Sequence, residues 1–161
     1  MPSVKSIFSA VLTAAVMSMV RAETHTVHFA NNCGFGTPTL IQGPNVLSTG
    51  GDVTFGGPLR SAIAYLQTGG CGFNGEGCTL IELTLANPTT PGSGSSVDIS
   101  LIPPHSFSVT SGFGYFGSGC DGLGADCTFG GCSTAFHQPG DTGVQVACQN
   151  NDVNLAITFC L

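Results

Sequence analysis

Two carboxylates stand out by where they sit. TLIELTLA, residues 79–86, places Glu82 in a run that is otherwise apolar or hydroxyl-bearing, and SVDISLI, residues 96–102, does the same with Asp98. Both runs alternate with a period of two, the pattern of a strand with one buried face. Ile81, Leu83 and Leu85 share one face and Glu82 lies opposite. Val97, Ile99 and Leu101 share one face and Asp98 lies opposite. If the two runs pair as an antiparallel hairpin through residues 87–95, both carboxylates leave the same face. Direct cross-strand partners hold their Cβ atoms about 4.5–5.5 Å apart. Carboxylates that close repel, and each raises the other's pKa. One protonated and one ionised carboxyl is what acid/base cleavage of a glycosidic bond requires. Glu82 and Asp98 are therefore the candidate catalytic residues. The competing reading is two solvated acids on an exposed strand face.

A second feature is SGFGYFGSG, residues 111–119, which carries Phe113, Tyr115 and Phe116 on a glycine-rich segment. Such rings either stack on sugar faces, as ligand-binding residues, or pack in the core, where large rings usually go. The same stretch matches Gly-x-Gly-x-x-Gly. No helical pattern follows it, and no acidic residue stands about twenty positions on in a strand–helix–strand context, so a dinucleotide site is discarded. No Gly-x-Ser-x-Gly elbow occurs. No Cys-x-x-Cys occurs either, and His25, His28, His105 and His137 have no usual ligand spacing. Neither a metal nor another cofactor is expected.

The elements that must position these residues are strands. Glycine is 24 of 161 residues and penalises helix interiors, and no helical periodicity follows residue 22. Further alternating runs lie at 25–30 (Val27, Phe29), 59–66 (Leu59, Ile63, Tyr65), 143–148 (Val144, Val146, Cys148) and 153–159 (Val153, Leu155, Ile157, Phe159). Shorter candidates fall near 38–42, 45–48, 52–55 and 105–110. The segment 110–142 is the least regular. Many short strands separated by Gly, Pro, Asn and Ser clusters predict an all-β antiparallel sandwich.

The chain opens with Lys5, an apolar run from Ile7 to Val20 too short to span a bilayer, and Val20-Arg21-Ala22, which resembles a cleavage site. Residues 1–22 read as a signal peptide and 23–161 as a single domain, secreted to the extracellular space or the cell wall. Removing the signal takes Lys5 and Arg21 away. Arg60 is then left against nine carboxylates, a formal charge of −8. Nucleic acid needs counterion-releasing cations and anionic membranes attract basic segments, so both partners are excluded. A neutral polysaccharide remains, because hydrogen bonds and ring faces suffice to bind it. All eight cysteines follow the signal, and an even count in a secreted chain implies disulfides, with about a hundred possible pairings.

The order of several motifs resembles one family. TGGCGFNGEGCTLIELTL (68–85) is similar to the thaumatin-like (osmotin) pattern of Thr-Gly-x-Cys-Gly, a short loop, Cys, then a Thr-Leu-x-Glu strand. HTVHFANNCG (25–34) resembles that family's first strand, VDISLI and SFSV its Asp-Val/Ile-Ser strand and sequel, and VQVACQNNDVNLAITFC (144–160) its ending. Together these cover residues 25–160. The compact form looks most like the small secreted thaumatin-like proteins of fungi.

The resemblance implies disulfides Cys33–Cys160, Cys71–Cys78 and Cys120–Cys148, which leaves Cys127–Cys132. It implies an acidic cleft in which Glu82 and Asp98 match family positions. Asp126, beside Cys127, is the best match for a third acid, with Asp121 second. A further family acid falls on Pro103. The family arginine has no counterpart in AIAYLQTGG, and Arg60 substitutes for it only if its strand is displaced. The large cysteine-rich second domain is absent, since about twenty residues separate Cys127 from Cys148. The expected function is monomeric binding of cell-wall β-glucan through the acidic cleft. The alternatives are a weak β-1,3-glucanase using Glu82 and Asp98, and a structural or defence-type extracellular protein with no carbohydrate site.

Overall fold

The computed structural model describes residues 22–117 and 119–161. The expected signal segment therefore lies outside the described residues, except for Ala22. The described chain is all-β, with twelve strands and no helix. In order they are β1 (Thr24–Asn31), β2 (Thr37–Gln42), β3 (Asn45–Ser48), β4 (Val53–Gly56), β5 (Leu59–Gln67), β6 (Leu80–Leu85), β7 (Ser95–Ser100), β8 (Ser111–Phe116), β9 (Gly124–Cys127), β10 (Ala135–Phe136), β11 (Val146–Cys148) and β12 (Asn154–Phe159).

They form two sheets. The first runs β4-β1-β12-β8-β9. The second runs β10-β7-β6-β5-β2-β3, with β11 also on β7. The sandwich is as expected, but its sheets are mixed rather than wholly antiparallel. β1 lies parallel to β12, and β10 lies parallel to β7. Alternation reports which face a residue takes and not the direction of the neighbouring strand, so these two pairings left no trace in the pattern.

The core lies between the sheets. Val27, Leu155, Ile157 and Phe159 of the first sheet and Leu40, Ile81, Leu83, Val97 and Ile99 of the second are all at most 2% exposed. Phe29 stacks on Phe159, with ring centroids 6.3 Å apart. His25 continues the inward row of β1 and is fully buried. Its Nδ1–H donates to the Val153 carbonyl at 2.7 Å, and Nε2 faces Glu23 Oε1 at 2.9 Å.

Two sequence expectations fail here for identifiable reasons. Residues 105–110 form no strand, and the nearby strand is β8, inside the segment expected to be irregular. β8 alternates Ser111, Phe113 and Tyr115 inward with Gly112, Gly114 and Phe116 outward. Glycine on the outer face hid the alternation. Pairing with β12 on one side and β9 on the other supplies what the local propensity lacks.

The second failure is in β5. Leu59, Ile63 and Tyr65 do not share a face: Leu59 packs in the main core with Ala62, Ala64 and Leu66, while Tyr65, with Ile63 against it, belongs to a smaller cluster. The register against β6 shifts between Leu59 and Ala62, and Ser61 takes φ 51°. A bulge of this kind inserts one residue and inverts every later side chain. A left-handed conformation costs a residue with a Cβ roughly 1–2 kcal/mol. Ser61→Gly is accordingly expected to raise stability by about 0.5–1 kcal/mol and Ser61→Val to lower it, read as shifts of the urea midpoint.

All eight cysteines are paired: Cys33–Cys160, Cys71–Cys78, Cys120–Cys148 and Cys127–Cys132. These are the pairings the resemblance implied, and four such bonds suit an oxidising, extracellular environment. Cys120–Cys148 ties the β8–β9 connection to β11, and so one sheet to the other. Cys71–Cys78 closes a loop over the outer face of the second sheet, on Ile41, Tyr65 and Leu80. Tyr65 Oη donates to the Phe73 carbonyl at 2.8 Å. Gly75, at φ 81°, permits that close approach, because a Cβ there would stand 2.7 Å from Leu80 Cδ1.

Candidate functional site

β6 and β7 pair antiparallel with Glu82 directly opposite Asp98 and Thr84 opposite Ser96. The apolar partners of each strand point into the core, so these four polar residues point off the outer face. Ile63 of β5 stands opposite Glu82 on the other side. The β5 bulge brings Ser61 to the same face, where its backbone N–H donates to Thr84 Oγ1 at 3.1 Å. The far edge of β7 is shared: β11 covers Ser95–Val97 and β10 covers Ile99–Ser100. Asp98 sits at the changeover. There Gln145, just before β11, donates Nε2–H to Asp98 Oδ1 at 3.4 Å. Ser61, Ile63, Glu82, Thr84, Asp98 and Gln145 line an open groove of about 300 Å³, together with Ala62, Leu83 and Ser96.

The two acids differ in environment. Glu82 is exposed, whereas Asp98 is only 5% exposed. Asp98 Oδ2 and Ser96 Oγ are shut off from solvent; among the described residues none donates to the ionised Oδ2, and Ser96 Oγ has no hydrogen-bond partner. Burial pushes the Asp98 carboxyl up to about 7, and the negative charge of Glu82 adds to the rise. The Gln145 amide opposes it, and a hydrogen bond from protonated Asp98 to Glu82 supports it. Asp98 is therefore only partly ionised near neutral pH.

Tyr115 reaches this region from the opposite sheet. Its hydroxyl donates to the Val146 carbonyl at 2.9 Å and so holds β11 beside Gln145. Burial raises the Tyr115 pKa, and the charge of Asp98 raises it further.

The expected site residues separate into two groups. Glu82 and Asp98 come together, because the two runs do pair as an antiparallel hairpin. The others do not join them. Asp126 lies exposed on β9 at the edge of the first sheet, and Asp121 lies exposed in the β8–β9 connection; neither lines the groove. Phe113 and Tyr115 are core residues, 5% and 2% exposed, because the β8 alternation turns them inward. That excludes them as rings open to a ligand. Phe116 is exposed, but at the end of β8 in the other sheet. Arg60 is exposed beside the bulge and does not line the groove; its charge acts on Glu23 instead.

No known protein family matches this chain, and no curated protein does.

Sequence reasoning missed Thr84, Ser96, Ser61 and Gln145. The first two were within reach, since they share the faces of Glu82 and Asp98 at a spacing of two. Ser61 arrives through a bulge and Gln145 through a long connection, and neither leaves a local signal.

The geometry limits the chemistry. Glycosidases that retain configuration hold their two carboxyls about 5–5.5 Å apart, and those that invert it hold them about 6.5–9.5 Å apart. Glu82 and Asp98 are direct cross-strand neighbours on one face, with Cβ atoms about 4.5–5.5 Å apart. Side by side on that face, they suit holding a ligand better than flanking a scissile bond.

Proposed function

We propose that this is a secreted thaumatin-like protein that binds β-glucan of a fungal cell wall, as a monomer, in the groove above Glu82 and Asp98. One observation carries the reading. An open groove on a sheet face is lined by two carboxyls, and two of the polar atoms beneath it, the ionised Asp98 Oδ2 and Ser96 Oγ, have no partner among the described residues. Buried polar groups are nearly always satisfied, so a carboxylate oxygen and a hydroxyl left open under a groove favour a hydrogen-bonding ligand. Ile63 offers an apolar side chain for the C–H face of a sugar ring, while Ala62 and Leu83 turn their side chains to the core and line the groove with backbone. The test is a pull-down of the oxidised protein on insoluble β-1,3-glucan. Retention is expected, with about a tenfold loss in Glu82→Ala; no retention refutes the proposal.

A weak β-1,3-glucanase is the second reading. It is favoured by a carboxyl that stays protonated close to neutral pH, as a general acid must. It requires reducing-sugar release that falls at least a hundredfold in Glu82→Gln. Unchanged release removes Glu82 from any such mechanism.

A further inference from the structure

We propose that the group this groove selects is a protonated primary amine carried on a sugar ring, so that its preferred ligand is an amino-sugar polymer rather than a neutral glucan. The inference rests on the reading of the groove as a polysaccharide site and names the chemistry it prefers.

The first argument is a count of donors and acceptors. Glu82 is an acceptor when ionised. Asp98 Oδ1 already accepts from Gln145, and Oδ2 has no donor. Thr84 Oγ1 already accepts from the Ser61 backbone. The one amide donor aimed into the groove, Gln145, is spent on Asp98. What remains open is two carboxylate acceptors, Glu82 and Asp98 Oδ2, with only neutral hydroxyls beside them as donors. A sugar hydroxyl brings one donor to that pair, whereas an ammonium brings three donors and a charge.

The second argument is charge. Arg60 is the only Lys or Arg among the described residues, and it does not line the groove. The carboxyl pair therefore has no cation of its own to offset the burial of Asp98 and the charge of Glu82 beside it. Turning the exposed Glu82 side chain aside lets an ammonium sit between the two carboxylates and supply the missing charge. A hard divalent cation would do the same, but it takes about six to eight oxygen ligands. Among the described residues no three His, Cys, Asp or Glu side chains gather anywhere. An ammonium asks less of the site. The groove, at about 300 Å³, lies at the lower end of the range for small-molecule sites and has room for a sugar ring.

The experiment compares three hexamers by calorimetry at about pH 6, where an ordinary amine is protonated: β-1,4-glucosamine, its N-acetylated form, and β-1,3-glucose. The glucosamine hexamer is expected to bind at least tenfold tighter than the acetylated one. Glu82→Gln and the double variant Glu82→Gln/Asp98→Asn should lose that preference, while Asp126→Asn, which removes one exposed charge from the other sheet, should keep it. Equal affinity for the amine and acetylated hexamers overturns the inference, as does a preference that Asp126→Asn abolishes equally, since net charge alone would then account for it. If the glucose hexamer binds as tightly as the glucosamine hexamer, the amine inference falls and the glucan reading stands. If only the glucosamine hexamer binds, the inference stands and the glucan reading falls. Binding of none of the three removes both.

Discussion

Asp98→Asn is expected to make the protein more stable at pH 8, by about 4 kcal/mol, and to leave it nearly unchanged at pH 4. The reason is the mismatch between Asp98 in the folded and unfolded chain. Unfolded, its carboxyl titrates near the ordinary value of 3.8; folded, burial and the charge of Glu82 push it up to about 7. Between those values the folded state holds a proton that the unfolded state has lost. Stability therefore falls as pH rises from about 4 to about 7 and levels off above that. A difference of roughly three pH units corresponds to about 4 kcal/mol. Asparagine carries no charge at any pH, its oxygen can still accept from Gln145, and its nitrogen can donate to Glu82. Urea unfolding of both proteins at pH 4 and pH 8, with disulfides intact, decides the matter. A difference that does not grow with pH would mean that Asp98 is ionised and satisfied throughout. A residue held at such a cost is easier to understand as part of a site than as part of a scaffold.

Replacing Cys33 and Cys160 together by serine is expected to cost about 5 kcal/mol, a large share of the roughly 5–15 kcal/mol by which domains are stable. The bond spans 127 residues, more than any of the other three, and so restricts the unfolded chain most. In the folded state Cys160 takes φ 58°, a left-handed conformation. Asn31 and Phe159 are the last registered pair of the parallel β1–β12 ladder, so the two cysteines leave the sheet side by side. The melting temperature should fall by about 15–20 °C. The matched comparison is Cys127→Ser/Cys132→Ser, whose bond spans 5 residues and whose loss should cost about 2 kcal/mol. Equal losses for the two variants would show that the long bond does not act through the unfolded chain.

Much of this protein can be read in its strands. β6, β7 and β12 alternate without interruption, so Ile81, Leu83, Val97, Ile99, Leu155 and Ile157 were legible as core and Glu82 and Asp98 as neighbours on one outer face. The cysteine pairing was what the family resemblance implied; the cysteines alone left about a hundred possibilities open. Where the alternation breaks, legibility stops. The bulge at Ser61 turned Ile63 and Tyr65 to the opposite face from Leu59, and the glycines of β8 hid a central strand and made Phe113 and Tyr115 look like loop residues.

By itself, then, the sequence determined the all-β class and the buried faces of β6, β7 and β12, and it put Glu82 and Asp98 together on condition that their strands pair, because strand alternation is a local property that side chains carry along the chain. Only the tertiary structure decided that Asp98 would be buried and Glu82 exposed, that Gln145 would meet Asp98, and that Asp126 on β9 and Asp121 in the β8–β9 connection would lie away from the groove. Those outcomes depend on which strands share an edge. The switch from β11 to β10 along β7 is set by long connections whose ends meet only once the two sheets have closed on their common core.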